Sequence, residues 1–111
     1  MSIKRRLAVD FDGVIHAYTR GWQDGEIYDE PVAGAIEGLL KLSVRFDVYI
    51  FTTRGNDPAQ VKAIEYWLLG WGWPEGKKLP LITDKKLPAT AYIDDRAIRF
   101  TTWQDVRKYY E

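Results

Sequence analysis

The sequence predicts an α/β protein on a mainly parallel sheet, and three observations carry that prediction. Apolar runs without alternation, such as "LAVDF" (Leu7–Phe11) and "DVYIF" (Asp47–Phe51), read as strands buried on both faces. Stretches with apolar residues at helical spacing follow each of these two runs. The resulting order is strand, helix, strand, helix, then strands, which suits right-handed crossovers.

Each element has a local reason. After the first strand, "HAYTRGWQDGEIYDEP" is rich in Gly, Asp and aromatics, and Asp24–Gly25 is a turn signal for a short hairpin flap over about 16–30. Pro31 opens "PVAGAIEGLLKLSVRF", where Val32, Ala35, Ile36, Leu39 and Leu40 recur at helical spacing, weakened by Gly34 and Gly38. Asp57–Pro58 is an N-cap followed by a first-turn proline, and the helix Pro58–Gly70 places Val61, Ile64 and Leu68 on one face. "LPLIT" and "TAYIDD" predict two further short strands, and "IRF" (Ile98–Phe100) a fifth. Thr102 caps a last helix, Trp103–Tyr110. The five Trp and seven Tyr are expected mostly in the core, with Trp67, Trp71 and Trp73 either there or in a subunit patch.

The totals narrow the function. A chain of 111 residues predicts one domain, 1–111, with a single core. Sixteen basic and sixteen acidic residues cancel, so no global field draws the molecule to nucleic acid or an anionic membrane. Without cysteine there is no disulfide framework, thiolate metal site or cysteine nucleophile. The longest apolar runs are too short to cross a bilayer, and Asp10 interrupts the signal-like start, so a cytoplasmic protein is expected.

The polar residues gather at strand ends. The first strand ends at Asp10 and Asp12, the second at Thr52 and Thr53, the fourth at Asp94 and Asp95. In an open parallel sheet, ligands bind beyond the carboxyl ends of the strands, where the connections diverge. If the first strand lies between the second and the fourth, these groups share one cleft, with Lys85 and Lys86 in the loop leading to it. Four carboxylates in one cleft repel each other, and a hard cation resolves the conflict. The expected content is Mg²⁺ beside a phosphoryl group, with a lysine and a threonine hydroxyl on the phosphoryl oxygens.

"VDFDGVI", "VYIFTTR", a lysine and "AYIDD", in that order over Leu7–Arg96, resemble the four-motif signature of the haloacid dehalogenase superfamily of phosphohydrolases. The resemblance implies a three-layer Rossmann-like fold with strand order 5-4-1-2-3. It implies Asp10 as the nucleophile that forms an aspartyl-phosphate, and Asp12 as the general acid/base. It further implies that Thr52 donates to a phosphoryl oxygen and that Lys86, with Lys85 as rival, neutralises charge. The metal falls to Asp10, the Asp12 carbonyl and Asp95, supported by Asp94. Gly13 allows the sharp turn beside the phosphate. With no room for a cap domain, the chain is similar to the small, minimally capped hydrolases of phage and bacterial genomes. Such enzymes accept large substrates at an open site or form a lid by oligomerising. The resemblance thus leaves open a small phosphorylated substrate such as a nucleotide, a nucleic-acid end and a homo-oligomer.

Other readings stand beside these. Arg54 contacts substrate or bridges to a nearby acid. Tyr18, Arg20 and Trp22 in the flap bind substrate or anchor the loop. His16, the sole histidine, is expected to be structural. A receiver-like signalling module would instead be phosphorylated at Asp84, after the third strand. A non-catalytic binding protein on the same fold is the third option.

Overall fold

The structure, a computed structural model, describes residues 4–111; the first three residues of the expected domain lie outside the described residues. Four strands, β1 (Arg5–Val9), β2 (Phe46–Phe51), β3 (Leu81–Thr83) and β4 (Ala91–Ile93), form one parallel sheet in the order β3-β2-β1-β4. Strand β1 is thus internal, with Val9 in register with Ile50 on one side and Ile93 on the other. Its last three residues, Leu7, Ala8 and Val9, are all buried, as an apolar run without alternation requires.

One face of the sheet carries Leu7, Val9, Val48, Ile50 and Ile82, which pack with Leu39, Ile64 and Leu68 in a single core. Leu39 comes from α1 (Ala35–Leu42), and Ile64 and Leu68 from α2 (Pro58–Gly70), so both helices cover the same face. Right-handed crossovers moving one way along the sheet demand that. Helix α2 has its expected bounds, and the Asp57 carboxylate accepts from the Ala59 N–H at 2.9 Å as its cap. Helix α1 starts later than Pro31, because Gly34 takes φ 82°, a left-handed conformation that a helix cannot include. Pro31 bridges instead to His16.

Among the described residues, no helix buries a side chain against the other face. Ala8, Tyr49 and Tyr92 lie there in register, Ala8 and Tyr49 buried and Tyr92 exposed, and the loop before β4 reaches both tyrosines. The Tyr49 hydroxyl donates to the Leu87 carbonyl and accepts from its N–H, both at 3.0 Å, and Tyr92 donates to the same carbonyl at 2.7 Å. Helix α3 (Trp103–Tyr110) forms with the expected Thr102 cap but buries no residue, so the expected third, helical layer is not built.

Three further expectations fail. Ile98–Phe100 forms no strand, so the sheet has no fifth member among the described residues. Strand β4 is therefore an edge, and all three of its residues are exposed rather than buried. The tryptophans are mostly outside the core: Trp73 is buried and Trp67 half-buried, while Trp22, Trp71 and Trp103 are exposed. Too little sheet is available to bury so many large rings, and only those behind α2 find cover. No helix among the described residues is long and apolar enough to cross a membrane.

The flap also differs from a hairpin. Asp24 and Gly25 adopt φ 51° and 82°, and the Glu26 N–H donates to the Gln23 carbonyl at 3.0 Å, so the turn signal is real. The flanking residues form no paired strands. Backbone bonds from the Ala17 N–H to the Glu30 carbonyl at 2.9 Å and from the Val32 N–H to the Ile15 carbonyl at 2.8 Å close the root of the flap, and the Asp29 carboxylate accepts from the Thr19 N–H and hydroxyl at 2.9 and 2.6 Å.

Candidate functional site

The carboxyl ends of β1, β2 and β4 open on a cavity of about 350 Å³. Six residues singled out in the sequence line it: Asp10, Asp12, Thr52, Thr53, Asp94 and Asp95. Tyr18 reaches it from the flap. A second cavity, about 580 Å³, adjoins Asp10 and Asp94 on the loop-covered face of the sheet, and Lys86 lines it.

Asp10 follows the last residue of β1 and is fixed at its root. Its N–H donates to the Ile93 carbonyl at 2.9 Å, and its carboxylate accepts from the Phe11 N–H at 2.8 Å. Partial burial, and then the negative charges of Asp94, Asp95 and Asp12, push its pKa up to about 6. One oxygen from each of Asp10, Asp94 and Asp95 lies within 4.8 Å of the others. Three converging carboxylate oxygens could serve as donors to a hard divalent cation, whose charge would offset the repulsion that raises the Asp10 pKa. Gly13, at φ 88°, makes room for the cluster, because a side chain there would run into the Asp95 carboxylate.

Thr52 is buried at the end of β2. Its Oγ1 accepts from the Arg54 N–H at 3.3 Å, capping a short 3₁₀ turn, Thr53–Asn56, and its own hydroxyl hydrogen is left to donate. The two lysines separate. Lys86 faces the cavity beside Asp10, with Nζ 4.7 Å from the centre of the Tyr92 ring. Lys85 lines neither of these cavities, and its N–H donates to the Thr83 hydroxyl at 3.1 Å.

Asp12 is bound on both oxygens. Arg54 donates Nε to Oδ2 at 2.8 Å and NH2 to Oδ1 at 3.1 Å, and His16 Nδ1 lies 2.9 Å from Oδ1. Of the two sequence readings of Arg54, the structure places it as a bridge to an acid. The guanidinium is wholly buried, and its remaining bonds go to the Gly25 carbonyl at 2.6 Å and the Gln60 side chain at 2.8 Å. Arg20 and Trp22 do not line the cleft either. Arg20 lies over the Tyr28 ring at 4.3 Å, and Trp22 stands against the Arg54 guanidinium at 4.8 Å.

Asp84, which the sequence raised only for the receiver-like alternative, follows the last residue of β3 and also lines the cleft, as does Arg96, which had no site role in the sequence reading. The Asp12–Arg54 pair spans 42 positions and had no sequence signal beyond the proximity of Arg54 to Thr52. Compared with profiles of known protein families, with characterised proteins and with solved structures, the chain matches none.

Proposed function

We propose that the protein is a Mg²⁺-dependent phosphatase that hydrolyses phosphomonoesters through an aspartyl-phosphate on Asp10. The convergence of Asp10, Asp94 and Asp95 beside Asp12 and Thr52 carries this reading. The haloacid-dehalogenase-like motifs and an internal β1 with β2 and β4 on its flanks support it.

The residues divide the work as follows. An Asp10 carboxylate oxygen attacks phosphorus, and the bond from phosphorus to the ester oxygen breaks. Asp12 must enter the first step protonated, at the carboxyl position that Arg54 and His16 leave open; it gives that proton to the departing alkoxide and then takes one from the water that attacks the aspartyl-phosphate. That second displacement releases inorganic phosphate and restores Asp10. The Thr52 hydroxyl and Lys86 ammonium hold the phosphoryl oxygens and offset charge that builds on them. Asp10, Asp94 and Asp95 would hold Mg²⁺, which would supply neutralising charge for the acids and the phosphate. An uncapped cleft admits phosphomonoesters of different sizes, nucleotides and nucleic-acid ends among them.

The strand order weighs against the receiver-like alternative. In that flavodoxin-like order the third strand is internal, whereas β3 here is an edge strand paired only with β2. The test is turnover of 4-nitrophenyl phosphate with Mg²⁺, repeated with Asp10→Asn. A loss of at least about 10³-fold is expected for removal of the nucleophile. Activity retained by Asp10→Asn would sink the assignment.

A further inference from the structure

Asp12, Arg54, His16 and the flap form one bonded unit, and it is a part of the site that the four motifs do not describe. Arg54 grips both Asp12 oxygens, and the same guanidinium donates to the flap at the Gly25 carbonyl. Gln60 on α2 steadies that junction, donating to the Gly25 carbonyl at 3.1 Å and accepting from Arg54. Trp22 of the flap covers the guanidinium from outside and is itself 57% exposed.

His16 makes the second link. It is wholly buried, enclosed by the rings of Phe11, Tyr18, Tyr28 and Trp67. Its Nε2 accepts from the Asp29 N–H at 3.0 Å, so Nδ1 must carry the hydrogen that goes to Asp12. Two flap positions, Gly25 and Asp29, are therefore each one side chain away from the Asp12 carboxylate. Tyr18 lies between His16 and the cleft, in contact with both.

A bidentate guanidinium fixes the carboxylate plane, and an enclosed imidazole fixes its rotation about the side chain. A proton carrier must be held to within a fraction of an ångström of the group it serves. Resting on the phosphatase reading above, we propose that Arg54 and His16 are positioning residues for Asp12, through which the flap sets the geometry of proton transfer to the leaving group. Neither touches substrate. A flap displaced by a bulky ester turns the Asp12 carboxylate with it, so the unit selects substrates that leave the flap seated.

The test compares two aryl esters that differ in their need for a proton. Phenyl phosphate has a poor leaving group and 4-nitrophenyl phosphate a good one. Arg54→Gln is expected to lower kcat on phenyl phosphate about tenfold more than on 4-nitrophenyl phosphate, and His16→Asn to act the same way. Trp22→Ala, at an exposed position, keeps the fold even if the Arg54 change does not, and is expected to show the same bias at about two- to fivefold. Because the sequence has one histidine, its ring ¹⁵N shifts give a readout independent of turnover. They are expected to show the Nδ1–H form, altered by Trp22→Ala. Equal losses on both esters in folded variants would overturn the positioning role and leave the phosphatase reading intact. A wild type inert on both esters would overturn the phosphatase reading and, with it, the use of the clamp.

Discussion

The two sides of the sheet are built differently, and the cleft takes residues from both. The side of β2, α2 and the flap holds the core, where Phe11, Ile15, Ile64, Leu68 and His16 are buried, with Trp22, Tyr66 and Trp71 exposed on its outer surface. On the side of β4 and α3, Tyr92, Ile93, Phe100, Trp103, Tyr109 and Tyr110 are exposed. Asp12, Thr52 and Arg54 come from the packed side, Asp94, Asp95 and Arg96 from the open one, and Asp10 stands on the strand between. On the phosphatase reading proposed above, the packed half would place the Asp12 proton carrier. The open half contributes charge, which acts over a longer range and tolerates movement.

The largest expected effect lies in the packed half. Phe11 is fully buried between His16, stacked at 5.5 Å, and Trp67, edge-on at 5.3 Å. Phe11→Ala removes a ring from a closed core next to the site and is expected to cost ~3–5 kcal/mol. A fall in Tm of more than about 10 °C in a thermal melt checks it. A shift of only a degree or two would mean that the packed half is looser than its burial implies.

Gly13→Ala addresses the junction between the halves. At φ 88° a Cβ carries a conformational cost of ~1–2 kcal/mol, and the added methyl displaces the Asp95 carboxylate. Weaker Mg²⁺ binding by isothermal titration, together with a modest fall in Tm, is the expected pair of results. Unchanged Mg²⁺ affinity would remove Asp95 from the ligand set.

The raised pKa of Asp10 gives the next effect. Its folded value, about 6, exceeds the ordinary 3.8, so between pH 4 and 6 the folded state binds more protons than the unfolded one. Stability without metal therefore falls as pH rises through that window and reaches its low plateau above about pH 6. With solvent screening of a partly exposed carboxyl, the drop is ~1–2 kcal/mol. Mg²⁺ reverses it only where Asp10 is ionised, so the rise in Tm on adding Mg²⁺ should be clear at pH 7.5 and vanish near pH 4.5. Asp10→Asn flattens the profile. A Tm that climbs steadily from pH 4 to 7 without metal would contradict the sign.

Much of this was readable in the sequence, for reasons that differ between the two halves. Strands β1 and β2 announce themselves because burial on both faces demands unbroken apolar runs, and α2 because its cap, proline and periodic residues agree. The strand-end acids are legible because the topology forces Asp10 and Asp94 to the same edge of the sheet. The Asp12–Arg54 bridge was not, since it depends on the 3₁₀ turn that carries Arg54 back under the flap. The exposure of β4 was hidden as well. "AYI" has the composition of a buried strand, yet Ile93 is exposed, whereas Ile82 on β3, the other edge strand, is buried in the core.

The smallest effect is expected at the far end of the open half. Helix α3 is held by contacts within itself: Thr102 Oγ1 accepts from the Asp105 N–H at 3.2 Å, and Thr101 donates to the Asp105 carboxylate at 2.6 Å. Arg107 pairs with Glu111 at 2.6 Å on its outer surface. Tyr109 and Tyr110 are 68% and 74% exposed, so replacing both by Ser removes little buried area. The cost should stay within ~0.5 kcal/mol, with Tm and turnover unchanged. Thr102→Ala should increase amide exchange in α3 alone, since an eight-residue helix without its cap is marginal. A double tyrosine variant that loses several degrees of Tm would break the comparison, because it would mean that these rings are covered in solution and that the open half is closed there.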